Sequence, residues 1–401
     1  MMTRNQIGDE TVTPNSQQTS TDRSTLLRKC LKKKKILSVI NGIIIVILII
    51  TITTVIIKTK TKATTLTELS TVPIETTTEE YTTTEKFTTT ADNPTTEVQS
   101  KPKGDKWKQH GITVAGGNGE GSKPNQLSVP YGIYIDDSKA ILIVELRNER
   151  IVEWKYDSNN GQIIAGGNGQ GVELNQLDTP MDVVVGKEKN EIIVCDSNNW
   201  RVMRYFGQSQ TNPQIIIHKI LCRGLAMDKD GSIYVSDIAK AEVRRWKEGD
   251  TNGTIVAGGN NPGNHLNQLY NPDKIFVDED YSVYVADSTN HRITKWKKDA
   301  KEGILVAGGN GHGNHLNQLV NPGGVIVVSL GEIIIADTGN HRIMRWYEGD
   351  ADGSIVVGGN GQGERSNQLY HPLDLSFDVE GNLYVADTMN HRIQKYELCT
   401  E

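Results

Sequence analysis

The chain has 401 residues, 43 Lys and Arg against 49 Asp and Glu, and only 36% hydrophobic content. That length suits one large domain with appendages. Residues 101–401 carry 31 basic and 39 acidic side chains, an acidic balance that repels a phosphate backbone and argues against nucleic acid as a partner.

Residues 1–35 read as a polar cytoplasmic tail that ends in a basic cluster: Arg28, Lys29 and the lysines at 32–35. The next 22 residues, 36–57, hold no charge. At ~1.5 Å per residue such a helix spans roughly the hydrocarbon core of a bilayer. The run is too long and too far from the N-terminus for a cleaved signal peptide, so it is expected to stay as a signal anchor. Only Lys58, Lys60 and Lys62 follow it closely. Because Lys and Arg are retained on the cytoplasmic side, the expected topology is single-pass type II at the plasma membrane, with everything after residue 57 outside the cell. Cys30 lies on the inner flank, either as an S-palmitoylation site or as an idle thiol.

Residues 58–106 read as a stalk. Thr supplies 17 of the 43 residues between 58 and 100, so the segment cannot bury enough apolar surface to offset its ordering entropy. In an exported chain, Thr-rich sequence with Pro is expected to carry O-linked sugars that keep it extended.

The remainder, 107–399, repeats itself. Ala-Gly-Gly-Asn recurs at Ala115, Ala165, Ala257 and Ala307, with Val357-Gly-Gly-Asn as a variant. The spacings are 50, 92, 50 and 50, so one marker is missing near the middle. A second line fills the gap: Asn148-Glu-Arg-Ile, Asn199-Trp-Arg-Val, Lys240-Ala-Glu-Val, and Asn-His-Arg-Ile at Asn290, Asn340 and Asn390. That makes six units. The fourth predicts strands over 273–278, 283–286, 292–297 and 303–307, divided by short polar turns. Four short strands at a period near 50 fit the blade of an antiparallel propeller, since the turns are too short for crossover helices. Segment 111–115 is a fourth-type strand with no blade before it, and the last unit stops after its third strand, 392–397. These halves complete one another, which predicts an all-β, six-bladed β-propeller whose N-terminal strand closes the last blade and hides its edge.

The pattern Tyr-Val-Ala-Asp-x-x-Asn-His-Arg-Ile at 284–293 and 384–393, largely kept at 334–343, resembles the NHL-repeat family. The resemblance extends over all six units, and unit three departs most, with Ala241-Glu242 in place of His-Arg. It implies a recognition module in most members and an enzyme in a minority. Some related lyases hold zinc with channel histidines, and none stands at those positions here.

Repeated polar residues are expected to be structural. His291, His341 and His391 begin third strands, too far from the axis to share the ~2 Å bonds of a zinc site. Asp196, Asp237, Asp287, Asp337 and Asp387 are expected to accept from the turn amides that follow them. Trp154, Trp246, Trp296 and Trp346 are expected between blades. Channel candidates follow the residue that opens each innermost strand, a proline in five units and Cys222 in the third: Tyr131, Met181, Arg223, Asp273, Gly323 and Leu373. Of these, Tyr131, Met181, Arg223, Asp273 and Leu373 are the expected ligand-binding set, with no metal and no cofactor.

Five connections between blades end in Asn-Gln-Leu, at Asn125, Asn175, Asn267, Asn317 and Asn367, and the one between units two and three lacks it. A notch beside Arg223 is therefore predicted, on the face that points away from the membrane. Arg223→Glu is expected to weaken partner capture without changing thermal stability. Cys195 and Cys222 end up on one face of neighbouring blades and are expected to pair; Cys399 remains free or links two chains as a dimer. Asn252-Gly-Thr254 is an N-glycosylation acceptor in a hairpin turn. The expected function is a cell-surface binding module of receptor or adhesion type, meeting an extracellular protein or glycan; the alternative is a propeller hydrolase or lyase with a divalent metal in its channel.

Overall fold

The structure, a computed structural model, describes residues 106–186, 191–207, 211–328 and 331–399. The basic tail, the 36–57 segment and all of the 58–106 stalk but its last residue lie outside them. No helix among the described residues is long and apolar enough to cross a membrane.

Each of the six units forms one four-stranded antiparallel sheet. In blade 4 the strands are Pro272–Val277, Val283–Asp287, Arg292–Trp296 and Ile304–Gly308, within a residue or two of the expected bounds. The second strands read as continuous apolar runs because both of their faces are covered by neighbouring blades. Val283–Asp287 and Leu383–Asp387 are buried at every position. The core is accordingly divided into six clusters, each shared by two adjacent blades. Between blades 5 and 6, for example, Ile334, Ala336 and Ile343 meet Leu375, Leu383 and Val385.

Ile112–Gly116 is the outermost strand of blade 6 and pairs antiparallel with Arg392–Tyr396, Thr113 opposite Gln394. The seam is longer than the expected strand. Lys108 N donates to Glu397 O, Cys399 N donates to Lys106 O, and the Trp107 indole donates to Gly381 O at 2.9 Å while packing on Phe377. Closure by the two chain ends removes the open edges that a linear array would expose.

Each innermost strand except that of blade 5 begins with a β-bulge: between Pro272 and Ile275, two residues, one of them extra, oppose the single Ala286. A bulge re-aims side chains. Where it occurs, it turns the second residue after the one that opens the strand toward the axis, together with the first.

Candidate functional site

The repeated polar residues are used up in holding the ring together. Asp287 is fully buried, and its carboxylate accepts from Tyr270 N, Asn290 Nδ2 and Arg292 Nε. The other nitrogens of Arg292 donate to the carbonyls of Asn264, His265 and Gln268, in the Asn-Gln-Leu loop that enters the blade. Arg201, Arg342 and Arg392 repeat this clamp. Asp196, Asp287, Asp337 and Asp387 therefore bond the preceding loop and their own arginine, a correction to the expected bonds from following turn amides, which hold at Asp237, where Ala239 N donates at 3.1 Å. Burial raises the Asp287, Asp337 and Asp387 pKa values, and the paired arginine opposes the shift.

The repeat histidines cap the one-turn 3-10 segments with left-handed φ, as at His291 (φ 54). Their Nδ1 atoms accept from the next blade's entry: His291 from Asn321 N, His341 from His371 N and His391 from Val129 N. Glu149 does the same for Thr179 N in blade 1, at 2.6 Å. A hairpin glycine adds one more tie, since Gly303 N donates to Leu266 O and Gly353 N to Leu316 O of the entering loops.

Near the axis, Tyr131, Arg223 and Asp273 come together. The Tyr131 hydroxyl accepts from Arg223 Nη2 at 2.7 Å and donates to Asp273 Oδ2 at 3.2 Å; Arg223 Nε also pairs with that oxygen at 3.4 Å. Tyr131 and Asp273 are buried, and Asp273 Oδ1 has no hydrogen-bond partner. Burial works against the Arg223 charge, but Asp273 and Tyr131 hold its pKa above the ordinary value. Met181 and Leu373 are half-buried and contribute carbonyls, Met181 O to Lys274 Nζ and Leu373 O to Gly324 N. The set thus splits: three side chains form one cluster, and two residues serve mainly through backbone. Arg223→Glu would set a second carboxylate against buried Asp273, so the expectation that it spares stability is withdrawn.

The next ring of residues, which the sequence reading passed over, alternates glycine with charge: Gly132, Asp182, Gly224, Lys274, Gly324, Asp374. Lys274 Nζ bonds Asp182 Oδ1 at 2.6 Å and Asp374 Oδ2 at 3.1 Å, all three buried. Glycine is required between them; a Cβ on Gly132 would fall 2.7 Å from both Lys274 Nζ and Asp182 Oδ1. The two carboxylates also accept from backbone across blades, Asp182 from Leu225 N and Asp374 from Ile133 N. Burial pushes the Asp182 pKa up to about 6, with Lys274 opposing and Asp374 adding to the shift. Burial favours neutral Lys274, but its two carboxylates hold its pKa above the usual lysine value. Among the described residues, no group of three or more His, Cys, Asp or Glu side chains is placed to hold a metal ion.

The ring is irregular at one seam. Where the Asn-Gln-Leu loop is missing, Cys195 and Cys222 join blades 2 and 3 in a disulfide with Cα atoms 5.8 Å apart. Among the described residues, the connection entering blade 3 gives it the Leu221 carbonyl, which accepts from Ile238 N, but no Asn-Gln-Leu loop carbonyls, and the clamp arginine is replaced by Glu242, which pairs with Arg244 at 2.6 Å. Blade 3's departure from the repeat is therefore the counterpart of the missing loop. Trp154, Trp296 and Trp346 are at most 3% exposed, whereas Trp246 is only half-buried. It lines two adjoining grooves between blades 2 and 3, of about 800 and 640 Å³. Both grooves lie between the outer parts of the two blades, and Arg223 lines neither. Blade 2 also breaks the histidine position: Trp200 stands there with φ 53 and is 47% exposed.

The family model described as NHL repeat matches residues 319–345 and 369–396, which hold the first three strands of blades 5 and 6. The protein carries NHL repeats on a six-bladed β-propeller. Among solved structures, one similar to this NHL propeller is a protein of unknown function from Bacteroides thetaiotaomicron, at 17% identity and TM-score 0.59, covering 73% of this chain and 76% of that one. An auxiliary nutrient binding protein from the same organism has 14% identity and TM-score 0.58, with the same coverages. A putative phosphatase, also from that organism, has 15% identity and TM-score 0.57, covering 74% and 79%. At these identities the likeness shows the fold alone. No curated protein gives a significant match to the sequence.

In this NHL propeller a further residue that sequence reasoning missed, besides the axial ring, is Trp200. Its signal was present in the second marker line, as Asn199-Trp-Arg where other units have Asn-His-Arg. The other expected positions are placed plainly: Asn252 is exposed in the last hairpin of blade 3, and Cys399 is an exposed free thiol.

Proposed function

We propose that the chain is a cell-surface recognition module, anchored through residues 36–57 as a type II protein and carried on the 58–106 stalk. Its partner is an extracellular protein that docks on the face bearing the 3-10 turns, with Trp200 as the anchor. One observation carries this reading. Trp200 occupies a position that in blades 1, 4, 5 and 6 ties blade to blade, yet it is 47% exposed on the seam between blades 2 and 3. Exposed aromatics of this kind dominate the energy of protein interfaces. Tyr270 and Met389 add exposed apolar surface on the same face. Ile112–Gly116 runs toward that face, Gly116 pairing with Arg392, so the chain enters the ring from the opposite side. Fold neighbours titled as nutrient-binding and as a putative phosphatase show that the scaffold does not choose between binding and catalysis, and the site must.

The test is Trp200→Ala in the full chain on intact cells, with proximity labelling to find partners and direct binding to confirm them. The proposal expects an unchanged melting temperature and at least ~30-fold weaker binding, the loss of about 2 kcal/mol typical of an anchor. Equal labelling and equal affinity for the variant would reject the face.

A further inference from the structure

We propose that Asn252 carries an N-linked glycan whose first N-acetylglucosamine seats in the groove between blades 2 and 3, on the exposed part of the Trp246 ring. The groove, about 800 Å³, is lined by Ile216, Ile217, Lys240, Arg244, Trp246 and Asn252 itself. Its volume lies within the ~300–1,000 Å³ of small-ligand sites. In blades 1, 4 and 5 the entering loop covers the equivalent place, its carbonyl taking the hairpin glycine amide at Gly161, Gly303 and Gly353. Blade 3 has the hairpin and the tryptophan but no loop.

The attachment point is held against this floor. Arg244 Nη1 donates to Gly253 O at 2.8 Å, and the Gly253 backbone lies so close to Trp246 that an added Cβ would fall 2.5 Å from the indole. Asn252 and Thr254 are exposed and supply the acceptor triad. A hexosamine offers an apolar face of C–H groups to an indole and hydroxyls to the Lys240 and Arg244 rim, the match an amphipathic aromatic site requires. The Cys195–Cys222 bond fits a chain that matures in an oxidising lumen, where the transfer occurs. There the Asn252 Nδ2 amide attacks the anomeric carbon of a polyisoprenyl-diphosphate-linked oligosaccharide. The C–N bond forms, the C–O bond to diphosphate breaks with its electron pair leaving on the polyisoprenyl diphosphate, and Nδ2 releases one proton. The inference rests on the extracellular placement proposed above.

The experiment uses the full chain made in a secretory host, with occupancy read by mass spectrometry and seating by hydrogen exchange over residues 215–220. Glycosylated wild type is expected to exchange about tenfold more slowly there than the same protein after enzymatic removal of the sugar. Thr254→Val should lose both the mass and the protection, and Trp246→Ala should keep the mass and lose the protection. Gln162→Thr completes an acceptor at exposed Asn160, the equivalent hairpin of blade 1, whose loop is present. Modification of Asn160 but not Asn252 would overturn the inference and leave the topology standing; modification of neither would overturn both. Occupied Asn252 with equal exchange before and after sugar removal would overturn the seating.

Discussion

Lys274→Met strips the only ammonium from a site that holds two buried carboxylates, Asp182 and Asp374. Removing one partner of a buried ionic set costs about 3–5 kcal/mol, because the remaining charges lose compensation without regaining water. Spread over a ring of roughly 290 residues at ~2.1 cal/mol/K each, that loss lowers the melting temperature by about 5–8 °C. The sign of its pH dependence follows from Asp182. Its folded pKa of about 6 lies above the ~3.9 of an unfolded aspartate, so folding favours the protonated form. This group gains stability as pH falls below about 6 and loses it as pH rises through that value. Without the ammonium both carboxyl pKa values rise further, so the deficit is expected to be largest at pH 8 and to shrink toward pH 5. Scanning calorimetry on the wild type and the variant at both pH values makes the comparison. A variant as stable as the wild type at pH 8, or a deficit equal at pH 5 and 8, would refute the reasoning. Adding Asp182→Asn and Asp374→Asn to Lys274→Met should recover most of the loss, since no charge is then left buried alone.

Arg292→Lys keeps the charge beside Asp287 but cannot reach the carbonyls of Asn264, His265 and Gln268 together. Hydrogen exchange in residues 259–268 should therefore quicken at least tenfold with the rest of the ring unchanged, and uniform protection would contradict the clamp. Burial lowers the pKa values of His291 and His341, whose Nδ1 atoms accept backbone N–H bonds that a protonated ring cannot accept. Their contribution is complete above the unfolded value of ~6.5 and is lost as pH falls below it, so His341→Gln should flatten the stability profile between pH 7 and 5; an unchanged slope would count against the bridge. Reducing Cys195–Cys222, which encloses 27 positions of sequence, should lower stability by about 3–4 kcal/mol on the chain-entropy view, measured by denaturant titration of a Cys195→Ala/Cys222→Ala variant.

The blade count, the closing strand and the seam were readable because each rests on a local signal repeated at a fixed interval. Ala-Gly-Gly-Asn marks the end of the fourth strand, and Asn-His-Arg marks the turn that needs a left-handed cap. The axial charges were not found, although Gly132, Asp182, Gly224, Lys274, Gly324 and Asp374 stand in register in the sequence. In an unbroken strand the second residue after the proline points away from the first, and only the bulge brings both inward. The grooves at the outer strands of blades 2 and 3 were not read, since nothing local shows that the Asn-Gln-Leu loops lie against those strands. Glu242 looked like decay of the repeat. It is instead what remains when an arginine has no loop carbonyls left to bind.

The closure of the ring by its two ends is tested most directly by a cross-link between Thr113 and Gln394, which face each other in the seam with side chains bonded at 3.0 Å. A Thr113→Cys/Gln394→Cys variant should form an intramolecular disulfide on mild oxidation, found by mass spectrometry, and should melt higher than its reduced form. Thiols that stay free, or that link only between chains, would contradict a six-bladed ring shut by residues 112–116.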